Sequence, residues 1–129
     1  MSTLRLLLGF DYGTKQIGVA VGQAITGQAR ELCVLKAENG VPNWSQIEAL
    51  LREWQPDALV VGLPLNMDGS ASEMSARAEK FARRLNGRFN LPVELVDERY
   101  SSAVIPAKRG EHIDAKAAAI ILQQYFDAH

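Results

Sequence analysis

The stretch LRLLLGFDYGTKQIGVAV, residues 4–21, decides the fold. Leu4 to Phe10 is nearly all apolar, which predicts a strand buried within a sheet. Asp11 to Lys15 has the composition of a turn, and the apolar run from Ile17 to Val21 predicts a second strand that returns beside the first. A third strand is predicted over Ala29 to Lys36, so the chain is expected to begin with an antiparallel meander of three strands.

Beyond the meander, predicted helices alternate with predicted strands. Apolar residues recur at helical spacing from Trp44 to Trp54, and the compact apolar run from Asp57 to Leu63 predicts a strand buried on both faces. A second helix is predicted from Ser72 to about Arg88, a fifth strand over Pro92 to Val96, and an alanine-rich last helix over Ala115 to Phe126. Strands joined through a helix are expected to be parallel neighbours, because such crossovers are right-handed. We therefore predict one α/β domain over all 129 residues, with a mixed five-stranded sheet flanked by helices.

Composition and charge limit the possible functions. Of the 129 residues, 47% are apolar, which is enough for one hydrophobic core. The 14 Lys and Arg against 15 Asp and Glu leave a net charge of −1, so a polyanionic partner must be met by a local basic patch. The first apolar run is too short to span a bilayer, and the lone Cys33 is typical of a buried thiol in a reducing compartment. We expect a cytoplasmic protein that does not bind membranes.

Asp11 is the most unusual residue of the opening stretch. A carboxylate that ends seven almost wholly apolar residues is costly to bury unless it meets a cation or hydrogen-bond donors. Gly13 would let a phosphate approach the backbone, and Thr14 adds a hydroxyl donor. The pattern therefore indicates a phosphate-handling site, with the alternative that Asp11 only opens a turn with its side chain.

Further acidic residues stand at the ends of two other predicted elements. Asp97 and Glu98 follow the fifth strand, where side-chain alternation directs only one of them toward Asp11. Asp114 precedes the last helix, a position that by itself is more typical of an N-cap. Taken together, such carboxylates are the ligands that Mg²⁺ or Mn²⁺ needs, and two ions roughly 4 Å apart activate a water and stabilise the leaving oxygen of a phosphodiester.

A second set of candidate residues is basic. The predicted second helix carries Arg77, Lys80 and Arg84 at spacings of three and four, which places positive charge along one side. Such a row can follow a phosphate backbone, although Glu73 and Glu79 in the same helix also fit an ordinary solvated face. Four more residues outside this helix are expected to contact nucleic acid: Thr14, Lys15, Lys108 and Arg109.

Four motifs resemble those of the YqgF/RuvX family of small bacterial proteins. They are FDYGTKQIGVA at 10–20, VGLPLNMDG at 61–69, VDERYS at 96–101 and IDAKAA at 113–118. Because they occur in the family's order and extend over nearly the whole chain, the resemblance is far more specific than any single motif. It implies an RNase H-like fold and nuclease chemistry that depends on a divalent metal.

The resemblance also assigns roles to individual residues. It implies that Asp11, Glu98 and Asp114 are the catalytic residues and the ligands of Mg²⁺ or Mn²⁺. Arg99 and Ser101 of the third motif join the expected nucleic-acid contacts, with the alternative that Arg99 pairs with a neighbouring carboxylate at the surface.

The function that the resemblance implies is a two-metal-ion endonuclease acting on structured RNA, in 5′-end processing of pre-16S rRNA and within a pre-ribosomal particle. One alternative is a resolvase of four-way DNA junctions, and another is a non-catalytic RNA-binding factor in ribosome assembly. A resolvase would act as a dimer because two strands are cut symmetrically, whereas we expect a monomer or a weak homodimer. The Asp-x-Gly-Thr pattern is also similar to a phosphate motif of actin and sugar-kinase ATPases, but those enzymes need two lobes.

The chain departs from the family in one place. Relatives usually carry a longer, glycine-rich and basic stretch between the third motif and the last helix, whereas here only Ser102 to Ile113 intervene. Either this member is trimmed or a substrate-facing loop is missing from the sequence, and we favour the second explanation. The expected substrate contacts of Lys108 and Arg109 depend on which of these two explanations is correct.

Overall fold

A computed structural model describes residues 5–64, 68–97 and 115–128. The strands within these ranges are β1 (Leu6–Asp11), β2 (Gln16–Gln23), β3 (Gln28–Glu38), β4 (Val41–Pro42), β5 (Ala58–Leu63) and β6 (Val93–Asp97). The helices are α1 (Trp44–Trp54), α2 (Glu73–Phe89) and α3 (Ala115–Ala128). None of these helices is long and apolar enough to cross a membrane.

The strands form a single mixed sheet in the order β4-β3-β2-β1-β5-β6. β1, β2 and β3 pair antiparallel, which confirms the predicted meander. β5 is parallel to β6, as predicted for strands that are connected through a helix, and it is also parallel to β1. The predicted mixed sheet flanked by helices is therefore confirmed.

The sheet contains one strand more than the five that were predicted, within the ranges that the structure describes. β4 forms a hairpin with β3 through Asn39 and Gly40, whose φ angles are 51° and 82°. Two left-handed residues in a two-residue turn match the twist of paired strands, and Asn-Gly is the pair that most favours this geometry. The sequence prediction ended the third strand here because β4 is too short to show a period. Pro42 is tolerated in β4 because that strand lies at the sheet edge.

Two hydrophobic layers enclose the sheet, and β1 contributes to both. Leu8 and Phe10 of β1, with Tyr12 directly after it, pack on the side of α1 and α2, whereas Leu7 packs on the side of α3. Because side chains alternate along a strand, Asp11 faces the same layer as Leu7. The end of β1 therefore presents one carboxylate toward α3 and one aromatic ring toward α2.

Contacts along α3 fix the direction in which it crosses β1. A Cβ added at Gly9 would lie 2.9 Å from Leu122 Cβ, so the missing side chain allows the helix to pack directly on the strand. A Cβ added at Gly22, which pairs with Leu7 near the beginning of β1, would instead meet the ring of Phe126. The chain direction of α3 is therefore roughly opposite to that of β1, and the amino-terminal end of α3 lies toward Asp11.

The basic helix α2 has well-defined ends. The helix begins where the sequence predicts, and Ser72 is its N-cap: its hydroxyl accepts a hydrogen bond from the Ser75 backbone N–H while the Ser75 hydroxyl accepts one from the Ser72 N–H. The helix ends at Phe89, followed by Asn90 in a left-handed conformation with a φ of 59°. These caps hold the helix in place against β5 and β6.

Candidate active site

Asp11 is the buried charged side chain of the described residues, with 9% of its surface exposed. It is the last residue of β1, so it stands at the carboxyl end of a strand whose other side chains are almost all buried and apolar. Sheets with parallel strands bind their ligands at this end. The position is therefore suited to a carboxylate that acts on a ligand.

Glycines stand beside Asp11 on both neighbouring strands. Gly18 of β2 is its antiparallel partner. On the other side, Phe10 pairs with Val61, which places Gly62 of β5 next to Asp11 in the parallel register. Since laterally paired residues point to the same face, glycines at these two positions place no side chain beside the Asp11 carboxylate from either neighbouring strand. The sequence analysis missed these two residues, although a glycine inside a strand pattern is a known signal of a close approach.

The other two predicted catalytic residues continue from elements at this site. Glu98 directly follows β6 in sequence, and Asp114 directly precedes α3. Both lie outside the described residues, and so do four of the predicted nucleic-acid contacts: Arg99, Ser101, Lys108 and Arg109. Within the described ranges, no three His, Cys, Asp or Glu side chains form a group that could hold a metal ion.

Thr14 and Lys15 lie in the connection between β1 and β2, at the same end of the sheet as Asp11. Their carbonyl oxygens accept hydrogen bonds of 2.9 and 2.8 Å from the backbone N–H groups of Gly40 and Ala37. These bonds join the β1–β2 connection to the β3–β4 hairpin. The backbone beside Asp11 is thereby fixed, while the Lys15 side chain is exposed to solvent.

The predicted basic row is found on the other face of the sheet. Arg77, Lys80 and Arg84 are exposed on α2 and together line a cleft of about 320 Å³. Because Asp11 faces α3, the structure brings these three residues together with one another but not with the Asp11 carboxylate.

Comparisons of sequence show what the chain resembles. A family model described as RuvX, Holliday junction resolvase, matches residues 5–128. A protein of Pseudomonas paraeruginosa (strain DSM 24068 / PA7), named as a candidate pre-16S rRNA nuclease, is 65% identical over 136 residues, covering 98% of this chain and 94% of its own length. A relative with the same name from Pseudomonas putida is 64% identical over 140 residues, covering 100% of this chain and 99% of its own. That alignment is longer than the 129 residues of this chain, so it contains gaps on the side of this chain.

Comparisons of structure give the same fold. The RuvC protein of T. thermophilus, in a complex with a Holliday junction, superposes with a TM-score of 0.59 at 19% identity, covering 96% of this chain and 94% of that chain. The Fowlpox virus resolvase, also in a complex with Holliday junction DNA, has a TM-score of 0.59 at 12% identity, covering 95% and 97%. Together with the match to the family model and the sequence relatives, this fold identifies the chain as a member of the RuvX family, with the RNase H-like architecture that its motifs predict.

Proposed function

We propose that this protein is a metal-dependent endonuclease that hydrolyses phosphodiester bonds in structured RNA, with 5′-end processing of pre-16S rRNA in the cytoplasm as its role. Family membership and the names of the relatives support a nuclease. The observation that carries the proposal is the buried Asp11 carboxylate, which stands at the carboxyl end of β1 between two glycines.

The proposed metal ligands are Asp11, Glu98 and Asp114. Carboxylate oxygens are the donors that Mg²⁺ and Mn²⁺ prefer, and the glycines on both neighbouring strands place no side chain beside the Asp11 carboxylate. Such ions supply positive charge to the phosphate and lower the pKa of a water molecule. The direction of α3, with its amino-terminal end toward Asp11, supports Asp114 as a member of this set.

The protein's own residues would bind and orient the substrate. Burial in a surrounding of low dielectric strengthens the attraction of the Asp11 carboxylate for a cation. The hydrogen bonds that fix the β1–β2 connection keep that carboxylate in place without reorganisation during the reaction. Thr14 and Lys15, at this end of the sheet, are proposed to contact substrate phosphates. Four residues outside the described ranges are proposed to do the same, namely Arg99, Ser101, Lys108 and Arg109.

Resolution of four-way DNA junctions is the second candidate function. The description of the matching family model favours it. Junction resolution requires two paired active sites, and a chain that stays monomeric on the junction would not cut both strands symmetrically. Sedimentation of the protein with and without a DNA junction would therefore separate the two functions independently of any cleavage assay.

The cleavage test offers the protein a pre-16S rRNA fragment, an unstructured RNA and a four-way DNA junction, each with Mg²⁺, Mn²⁺ or a chelator. We expect metal-dependent cutting of the rRNA fragment. Asp11→Asn should abolish that cutting with little loss of RNA binding, because it removes a ligand charge without changing the shape of the site. Glu31→Gln, which removes the same charge from an exposed position on β3, is the matched control and should cut normally.

Three outcomes would reject parts of the proposal. Unchanged cleavage by Asp11→Asn would reject the site, and cutting of the junction alone would replace RNA processing by junction resolution. RNA binding without any cutting by the unmodified protein would favour a non-catalytic role in ribosome assembly.

A further inference from the structure

A cleft lies between the β3–β4 turn and α2, on the side of the sheet away from the Asp11 carboxylate. We name it the α2 cleft. Its walls include Tyr12, Gly40 and Trp44 on one side and Arg77, Lys80 and Arg84 on the other. A volume of about 320 Å³ is at the lower end for small-ligand sites, large enough for a phosphate group with part of a nucleotide.

The charge of the α2 cleft is entirely positive among the described residues that line it. Three cationic side chains line it and no carboxylate does, in a chain whose net charge is −1. Arg77 pairs with Glu73 at 3.5 Å, with 42% and 84% of the two side chains exposed. Exposed pairs of this kind are weak, so an incoming phosphate can replace Glu73 at little cost. The cleft therefore selects an anion.

The aromatic residues of the cleft form its floor. The guanidinium of Arg88 lies 4.3 Å from the centre of the Trp44 ring, and the Phe81 ring stacks beside it at 5.9 Å. Because protein groups already cover Trp44, it offers little surface on which a base could stack. The cleft is consequently suited to a phosphate of the backbone, which the basic side chains bind, rather than to a base.

The turn at the rim is held in a fixed position. The Tyr12 hydroxyl donates a hydrogen bond of 2.7 Å to the Gly40 carbonyl oxygen. A Cβ added at Gly40 would collide with that hydroxyl and would lie 3.1 Å from Arg77 Nη1, so the turn, the tyrosine and the arginine are in close contact. The Arg77 head group is therefore placed at the mouth of the cleft, which reduces the entropy lost when it binds a phosphate.

The α2 cleft and the candidate active site share one strand end. Tyr12 directly follows Asp11, and the two side chains face opposite layers of the sheet. A nucleic-acid strand that passes over this end of β1 can therefore contact both sites. We propose that the α2 cleft binds backbone phosphates of the substrate a few nucleotides away from the bond that is cut, through Arg77, Lys80 and Arg84. This inference rests on the proposed nuclease function for the identity of the ligand.

The test measures RNA binding to Lys80→Ala/Arg84→Ala as a function of salt, in the presence of a chelator. Each phosphate contact with a single strand contributes about 0.7 to the slope of log K against log salt. Loss of two contacts should reduce the slope by about 1.4, which corresponds to roughly 25-fold weaker binding at about 0.1 M salt. Arg83→Ala removes one positive charge from an exposed position of α2 outside the cleft, and its slope should stay close to that of the unmodified protein.

Kinetics separate this inference from the proposed function. In the presence of metal, the double variant should show a higher KM with kcat retained, since the cleft is remote from the reacting atoms. A slope equal to that of Arg83→Ala would overturn the cleft assignment even if Asp11→Asn abolishes cleavage. Conversely, a reduced slope in a protein that cuts no substrate would support the cleft while the nuclease proposal fails.

Binding of a mononucleotide is measured as the last comparison, because a free nucleotide also carries a phosphate that the cleft could bind. Adenosine monophosphate should bind far more weakly than a short oligoribonucleotide, since a single phosphate gains fewer contacts than a strand. Tighter binding of the mononucleotide, lost in Lys80→Ala/Arg84→Ala, would mean that the cleft is a site for free nucleotides and would overturn the proposal.

Discussion

Replacing Gly9 by alanine would test how closely α3 packs on β1. The added Cβ would lie 2.9 Å from Leu122 Cβ and 3.2 Å from the Ala118 carbonyl oxygen, whereas favourable carbon–carbon contacts are about 3.5–4.0 Å. The helix must therefore move away from the strand by roughly 0.6–1 Å. Overpacking of this kind destabilises the folded protein by about 1–3 kcal/mol. Alanine also lowers the conformational entropy of the unfolded chain, which stabilises the folded protein by about 0.4–1 kcal/mol. We expect a net loss of about 1–2 kcal/mol in the free energy of unfolding.

Thermal and urea unfolding would measure this loss. For a domain of this size, about 1–2 kcal/mol corresponds to a fall in Tm of roughly 4–8 °C. Gly87→Ala is the matched control, because a Cβ there meets no atom within 4 Å, and it should stabilise the helix by up to about 1 kcal/mol. The displaced α3 should also lower nuclease activity in Gly9→Ala and not in Gly87→Ala. A Gly9→Ala protein as stable as the unmodified one would refute the close packing inferred here.

Three further predictions concern single side chains. Tyr12→Phe removes the hydrogen bond to the Gly40 carbonyl and should lower the free energy of unfolding by about 1 kcal/mol in urea titrations; an unchanged midpoint would contradict this. Gln123→Leu removes both the acceptor of the Ala29 N–H and the donor to the Gly27 carbonyl oxygen and should cost about 1–3 kcal/mol in the same titrations; stability equal to that of the unmodified protein would argue against these bonds. Burial raises the pKa of the Cys33 thiol, so iodoacetamide should react slowly near neutral pH and faster as the pH rises; rapid labelling at neutral pH in the folded protein would be inconsistent with that environment.

The order of the elements and the direction of the strands could be predicted from the sequence. Compact apolar runs such as Asp57 to Leu63 indicate buried strands without any tertiary information. The crossover rule then predicts that strands joined through a helix are parallel. β4 could not be predicted in this way, because the two residues Val41 and Pro42 show no period. The Asn39-Gly40 pair was the available signal, and it was interpreted only as the end of a strand.

The candidate site was predictable only in part. Asp11 stands out locally, since a carboxylate after an apolar run is visible without any tertiary information. Gly18 and Gly62 become neighbours of Asp11 only through strand register, which depends on pairing between residues distant in sequence. In the same way, helical spacing predicted the row on α2, but the face of the sheet on which that row lies depends on how the helix packs.

The separation of carboxylate and cations by the sheet has a physical advantage for a protein of this charge. If Arg77 and Lys80 faced Asp11, they would pair with the carboxylate, compete with a divalent cation for its oxygens and lose their own attraction for phosphate. Because Asp11 and Tyr12 alternate across β1, the carboxylate is directed to the α3 layer while the basic row remains on the α2 side. A chain with a net charge of −1 can then attract a polyanion locally and still keep its acidic site for metal. It follows that a lysine added at an exposed position of α2, such as Ala76→Lys, should increase RNA affinity without weakening the dependence of cleavage on metal concentration, and a changed metal dependence would contradict this separation.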